Sequence, residues 1–142
     1  METGEKVLGP LQYHQDWVSC VVVCLKAERL SVFQIYGLAY SPNGHYLATA
    51  SDDYRVAIWD VVSGERMLHV LTGHGGYLRC VNWSADSKKI VTAALDNLIR
   101  VFDVETGALV CEPLSGHKSA VTSIGFRLSS NGNEQDIVSG AL

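Results

Sequence analysis

Concentrated basic charge is missing from this chain. Its 11 Lys and Arg are scattered among 15 Asp and Glu, for a formal net charge of −4. No run of Lys or Arg forms the stripe on which nucleic-acid binding relies, so a nucleic-acid partner is not expected. Long apolar runs are missing too. The longest, Trp17 to Leu25, is about nine residues, against the roughly 20 that a bilayer span needs, which argues against a membrane partner. Cysteine is sparse: Cys20 and Cys24 stand at C-x3-C spacing, and Cys80 and Cys111 form no second pair of that kind. Zinc sites are built from paired cysteines, so buried strand cysteines are the simpler reading and no metal is expected. The opening residues carry Glu2, Glu5 and a lone Lys6, the wrong charge for a secretory leader. An intracellular chain, cytoplasmic or nuclear and not secreted, is therefore expected. With 47% hydrophobic and 18% charged residues, the composition is that of a folded globular chain.

What is present is a beat. Gly73-His74 and Gly116-His117 stand 43 residues apart, as do Trp59-Asp60 and Phe102-Asp103, Ser41 and Ser84, and Gly64 and Gly107. A fixed period of this length marks a repeat architecture whose units bury their faces on one another. Ile35, Leu38 and Tyr40 recur as Leu78, Val81 and Trp83, then as Val121, Ile124 and Phe126, so a first strand repeats three times. The first copy has Leu30-Ser31 in place of Gly-His.

Each copy then turns and returns. Ser41-Pro42-Asn43-Gly44 is a strong reversal signal, and Ala85-Asp86-Ser87 a weaker one. Tyr46 to Ala50 and Lys89 to Ala93 read as second strands. Val56 to Trp59 and Ile99 to Phe102, β-branched or aromatic with alternation, read as third strands. Met67 to Leu71 and Leu109 to Cys111 are expected as fourth strands. Tyr40, Tyr77, Trp83 and Phe126 are expected to be mostly core.

These spaced marks resemble the WD-repeat β-propeller family over residues 30 to 142. The resemblance implies an all-β fold of four-stranded antiparallel blades. It divides the chain into an interrupted blade at 1–29, blades at 30–71 and 72–114, and a truncated blade at 115–142, an incomplete ring of about two and a half to three blades. The N-terminus carries a hidden copy: Glu2 to Val18 overlays Glu105 to Val121 at eight of seventeen positions, but the offset of 103 is 26 short of three periods. At the other end, Ile137 to Leu142 matches Ile90 to Leu95 after an insertion around residues 131–134. Both breaks raise the expectation of a non-autonomous fragment of a longer array, or of a ring completed by self-association through open blade edges.

The same resemblance implies a hydrogen-bonded set in each blade: histidine, a strand-two hydroxyl, an Asp and an indole. Carried over, it gives Ser51, Asp53 and Trp59 in the first blade, with Ser31 for the histidine. The second has His74, Asp96 and Phe102, with Ala94 for the hydroxyl. The last has His117 and Ala141. No blade has all four, which forfeits roughly 0.5–1.5 kcal/mol per lost bond. A recurring His–Asp–Ser grouping explains itself structurally, so a hydrolase triad is set aside and no enzyme is expected. Gly73-His74-Gly75-Gly76 lacks the Lys-Ser/Thr of a phosphate loop, so no cofactor is expected. What remains is the rim where inter-strand turns gather. Asp52, Tyr54, Gly75, Tyr77, Asn97 and Lys118 are candidates there for binding other proteins, beside Gly76 and Ser119. The leading expectation is a non-enzymatic protein-interaction scaffold.

Overall fold

The computed structural model describes residues 35–63, 66–128 and 135–142. The expected interrupted blade at 1–29, Ser31, Cys20, Cys24 and Gly64 lie outside them. Strands β1 (Ile35–Tyr40), β2 (Tyr46–Ser51), β3 (Val56–Asp60) and β4 (Arg66–Leu71) form one antiparallel sheet in that order. A second sheet holds β5 (Leu78–Trp83), β6 (Lys89–Ala94) and β7 (Ile99–Asp103), and a third pairs β8 (Val121–Leu128) with β9 (Gln135–Ala141). Among the described residues there is no helix, and the fold is all-β.

Period-two alternation makes the stack. On β6, Ile90 and Ala94 pack with Ala48, Ala50, Val56, Ile58 and Leu71 in a core between the first and second sheets. Val91 and Ala93, pointing the other way, join Ile99, Val101, Val121 and Ile124 between the second and third. One strand thus feeds two cores, which is why, after the exposed Lys89 that opens it, both of its faces are apolar except at Thr92. Polar bonds set the register between sheets. The Trp83 indole N–H donates to the Ala39 carbonyl at 2.8 Å while its ring stacks on Tyr46. The Asn43 amide donates to Ser87 Oγ at 3.1 Å. Gly37 lets β1 come close to β5: a Cβ there would lie 3.2 Å from the backbone of Arg79, Cys80 and Val81, tighter than an ordinary contact.

Three expectations change. The turn at Ala85-Asp86-Ser87 is bonded as fully as its counterpart at 41–44. Ser84 Oγ accepts from the Lys89 amide as Ser41 Oγ accepts from that of Tyr46, both at 2.9 Å. Ser87, at φ 60, takes the left-handed position that Gly44 fills at φ 74. The fourth strand at Leu109 to Cys111 is not continuous: single bridges join Phe102 to Leu109 and Ile99 to Leu114. Ile99 and Leu114 exchange both backbone bonds, and the next bond runs from the Val110 amide to the Val101 carbonyl, so the register shifts by two residues between the two bridges. Of the aromatics expected in the core, Trp83 is buried, but Tyr40 is 52% exposed, and Tyr77 lies at the surface.

Candidate protein-interaction rim and its buried support

The support begins with a hydroxyl on each second strand. Thr49 Oγ1 accepts the Trp59 indole N–H at 3.1 Å. Thr92 Oγ1 meets His74 Nε2 at 2.7 Å, and Ser139 Oγ meets His117 Nε2 at 2.8 Å. The hydroxyl therefore stands two residues before the expected positions, Ser51, Ala94 and Ala141. Residues i and i+2 share a strand face, so pattern alone does not separate them. Ser51 instead accepts from the Asp53 amide, and Asp53 from that of Arg55, closing the β2–β3 turn. Phe102 is buried and has no side-chain donor, so Thr92 is bonded by the imidazole in place of an indole.

Arg100 completes the second blade. It is 7% exposed, and its Nη1 lies 2.7 Å from both His74 Nδ1 and Asp96 Oδ2. A guanidinium only donates, so Nδ1 accepts and the ring proton sits on Nε2, aimed at Thr92. Thr92 passes its own proton toward the Arg100 carbonyl at 3.4 Å. The 3.1 Å approach of His74 Nδ1 to Asp96 is then two acceptors sharing one guanidinium. Burial lowers the His74 pKa from its ordinary 6.5; Asp96 opposes this and Arg100 reinforces it, so the ring is held neutral. Burial pushes Asp96 up, but the Gly75 amide, Arg100, the Leu98 amide and His74 together hold it below the ordinary carboxylate range.

This set grips the surface above it. Asp96 accepts the Gly75 amide at 3.0 Å and the Leu98 amide at 3.1 Å, tying the β4–β5 connection to the β6–β7 turn. The Leu95 amide donates to the Tyr77 carbonyl at 2.9 Å. Gly76 fits against that turn so closely that a Cβ would stand 2.9 Å from the Asp96 nitrogen.

Two of the six rim candidates meet across the gap between blades. The Tyr54 and Tyr77 rings stack at 5.5 Å with 26° between planes, and the two residues are 43% and 45% exposed. Tyr54 has φ 66, the left-handed value that Asn97 shows at φ 63 in the next turn. That backbone costs a bulky residue on the order of 1–2 kcal/mol, and Asn tolerates it better. Ring stacking returns about 0.5–1.5 kcal/mol. The pair roughly breaks even, so stability alone does not account for a tyrosine at 54. Asp52 and Asn97 are half-buried, and Gly75 and Lys118 are exposed; Lys118 lies beside the His117–Ser139 bond on the third blade. Arg100, Thr49, Thr92 and Ser139 are not singled out by sequence reasoning. The 43-residue register between Thr49 and Thr92 is the signal that could have found the hydroxyls.

Antiparallel sheets of two to four strands, stacked face to face and repeated at 43 residues, define a set of β-propeller blades. The model for WD domain, G-beta repeat, matches residues 28–60 and 65–103, and the chain belongs to that family. It is 38% identical over 85 residues to a ribosome biogenesis protein WDR12 homolog of Nematostella vectensis, covering 59% of this chain and 16% of that protein. It is 33% identical over 82 residues to the nuclear distribution protein nudF of Aspergillus niger, covering 58% and 15%. To a chromatin assembly factor 1 protein of Gallus gallus it is 29% identical over 68 residues, covering 48% and 12%. The chain thus spans less than a fifth of the length of these relatives. Among the described residues no helix is long and apolar enough to cross a membrane.

Proposed function

We propose that the chain is an intracellular, non-enzymatic scaffold whose blades, 30–71, 72–114 and 115–142, present rim loops to other proteins. Asp52, Tyr54, Gly75, Tyr77, Asn97 and Lys118 form the binding face. The observation that carries this reading is the exposed Tyr54–Tyr77 stack, in which Tyr77 is held by the Leu95 amide next to Asp96, the residue that grips the Gly75 amide from the buried support. Exposed aromatics on a rigid base are the usual anchors of protein interfaces. The relatives are, by name, a ribosome biogenesis protein, a nuclear distribution protein and a chromatin assembly factor, which agrees with work inside protein complexes. Quantitative pull-downs comparing the wild type with Tyr54→Ala/Asn97→Ala/Lys118→Ala test the face. Loss of a defined subset of partners is expected, and retention of every partner refutes it.

A second reading has its own observation. β9 pairs only with β8 among the described residues, and Val138 on it is 54% exposed. An uncovered strand edge of this kind pairs with another strand, so self-association, or service as a fragment of a longer array, would run through β9. Light scattering after size exclusion separates the two: a defined dimer supports edge pairing, and a compact monomer removes it.

A further inference from the structure

Blades meet at matched register in two aromatic contacts, and the two are resolved differently. Tyr36 on β1 and Arg79 on β5 are 43 residues apart, and the Arg79 guanidinium lies 4.7 Å from the Tyr36 ring centroid. There the negative ring face is covered by a cation from the next blade. At the rim, ring meets ring instead, and the outward part of both rings faces solvent. Among the described residues Arg79 is the only cation seated on an aromatic ring. Stacking two electron-rich rings leaves outer faces that favour positive charge. The turn that carries Tyr54 holds Asp52 and Asp53 against one exposed cation, Arg55, so it is acidic on balance, as is the whole chain at −4. Asp53 spends one oxygen on the Arg55 amide, whereas the Asp52 carboxylate meets the Ser51 hydroxyl at a long 3.4 Å. Tyr54 holds a left-handed φ of 66 in this turn while its ring stacks on Tyr77.

We propose that the Tyr54–Tyr77 stack, with Asp52 in the same turn, receives an arginine or lysine side chain from an extended segment of the partner protein. This rests on the rim being the binding face and adds the chemistry of what binds there. The cation lies on an open ring face and Asp52 supplies the opposing charge. An acidic segment is repelled, and a neutral one of equal shape loses the charge attraction.

The test uses the full chain and three peptides of equal length, Gly/Ser-based, with a central arginine, citrulline or glutamate. Binding is followed by the ring proton signals of Tyr54 and Tyr77. The arginine peptide is expected to bind about three- to fivefold tighter than its citrulline twin, the range for a partly exposed cation–π contact. Glutamate is expected not to shift either ring. Tyr54→Asn, which suits the left-handed turn and therefore keeps the fold, is expected to abolish the arginine preference; Tyr77→Leu is the second variant. Equal affinity for arginine and citrulline, or an undiminished preference in Tyr54→Asn, overturns the proposal. If the triple rim variant loses partners while arginine shows no preference, the rim face stands and the cationic partner falls. If arginine preference depends on Tyr54 while every pulled-down partner is retained, the cation site stands and the wider rim falls.

Discussion

Replacing Arg100 by methionine keeps most of the side chain's volume and removes its charge and its donors. Two contacts of 2.7 Å vanish, one to His74 Nδ1 and one to Asp96 Oδ2. The side chains of Arg100 and Asp96 are only 8% and 12% exposed, so water replaces the lost donors poorly. Hydrogen bonds to charged groups contribute about 1.5–3 kcal/mol each. Part of this is recovered: once nothing donates to Nδ1, the His74 proton can move there and bond Asp96, with Thr92 donating to Nε2. The net loss should be about 2–3 kcal/mol. In urea titrations followed by tryptophan fluorescence, that shifts the midpoint down by about 1–2 M for ordinary slopes. The pH dependence adds a second signature. In the wild type the His74 pKa is lowered from 6.5, so the neutral ring's stabilisation is full above that value and is lost as pH falls below it. In the variant the repelling guanidinium is gone and Asp96 remains, so the His74 pKa rises and less is lost in acid. The destabilisation should therefore be larger at about pH 7.5 than at about pH 5.5. A loss under about 0.5 kcal/mol, or one that grows in acid, would refute the assigned network.

Gly76→Ala should destabilise by about 1–3 kcal/mol, because its Cβ meets the Asp96 backbone nitrogen; amide exchange should quicken first at 75–77 and 95–97. Trp83→Phe deletes the donor to the Ala39 carbonyl and should cost about 0.5–1.5 kcal/mol in thermal melts, the loss falling between sheets rather than within one. Thr92→Val leaves His74 Nε2 without its partner in a fully buried site and should cost about 1–3 kcal/mol, whereas Ser51→Ala should cost little. Wild-type stability should fall as pH drops below 6.5 through His74, and again below 3.8 through Asp96, whose pKa is also lowered; a flat profile across the first range would count against a neutral buried His74.

The period was legible because it is written in residue types that few positions tolerate: Gly-His at one connection, Trp-Asp or Phe-Asp at the end of a third strand. Local bonds were half legible. Asp53 and Asp96 close their turns from within a few residues, but Thr49 and Ser51 share a face and only burial distinguishes them. Arg100 was missed because an arginine on a strand ordinarily reads as solvated; its burial depends on His74, 26 residues away in the chain. The Tyr54–Tyr77 stack joins different blades, and no local pattern announces such a contact.

The rim account is tested most directly by amide hydrogen exchange on the full chain, alone and with a protein recovered by pull-down. Residues 52–55 and 75–77 should become protected while β9 stays unchanged. Protection confined to β9, with exchange at both rim segments unaltered, would contradict it.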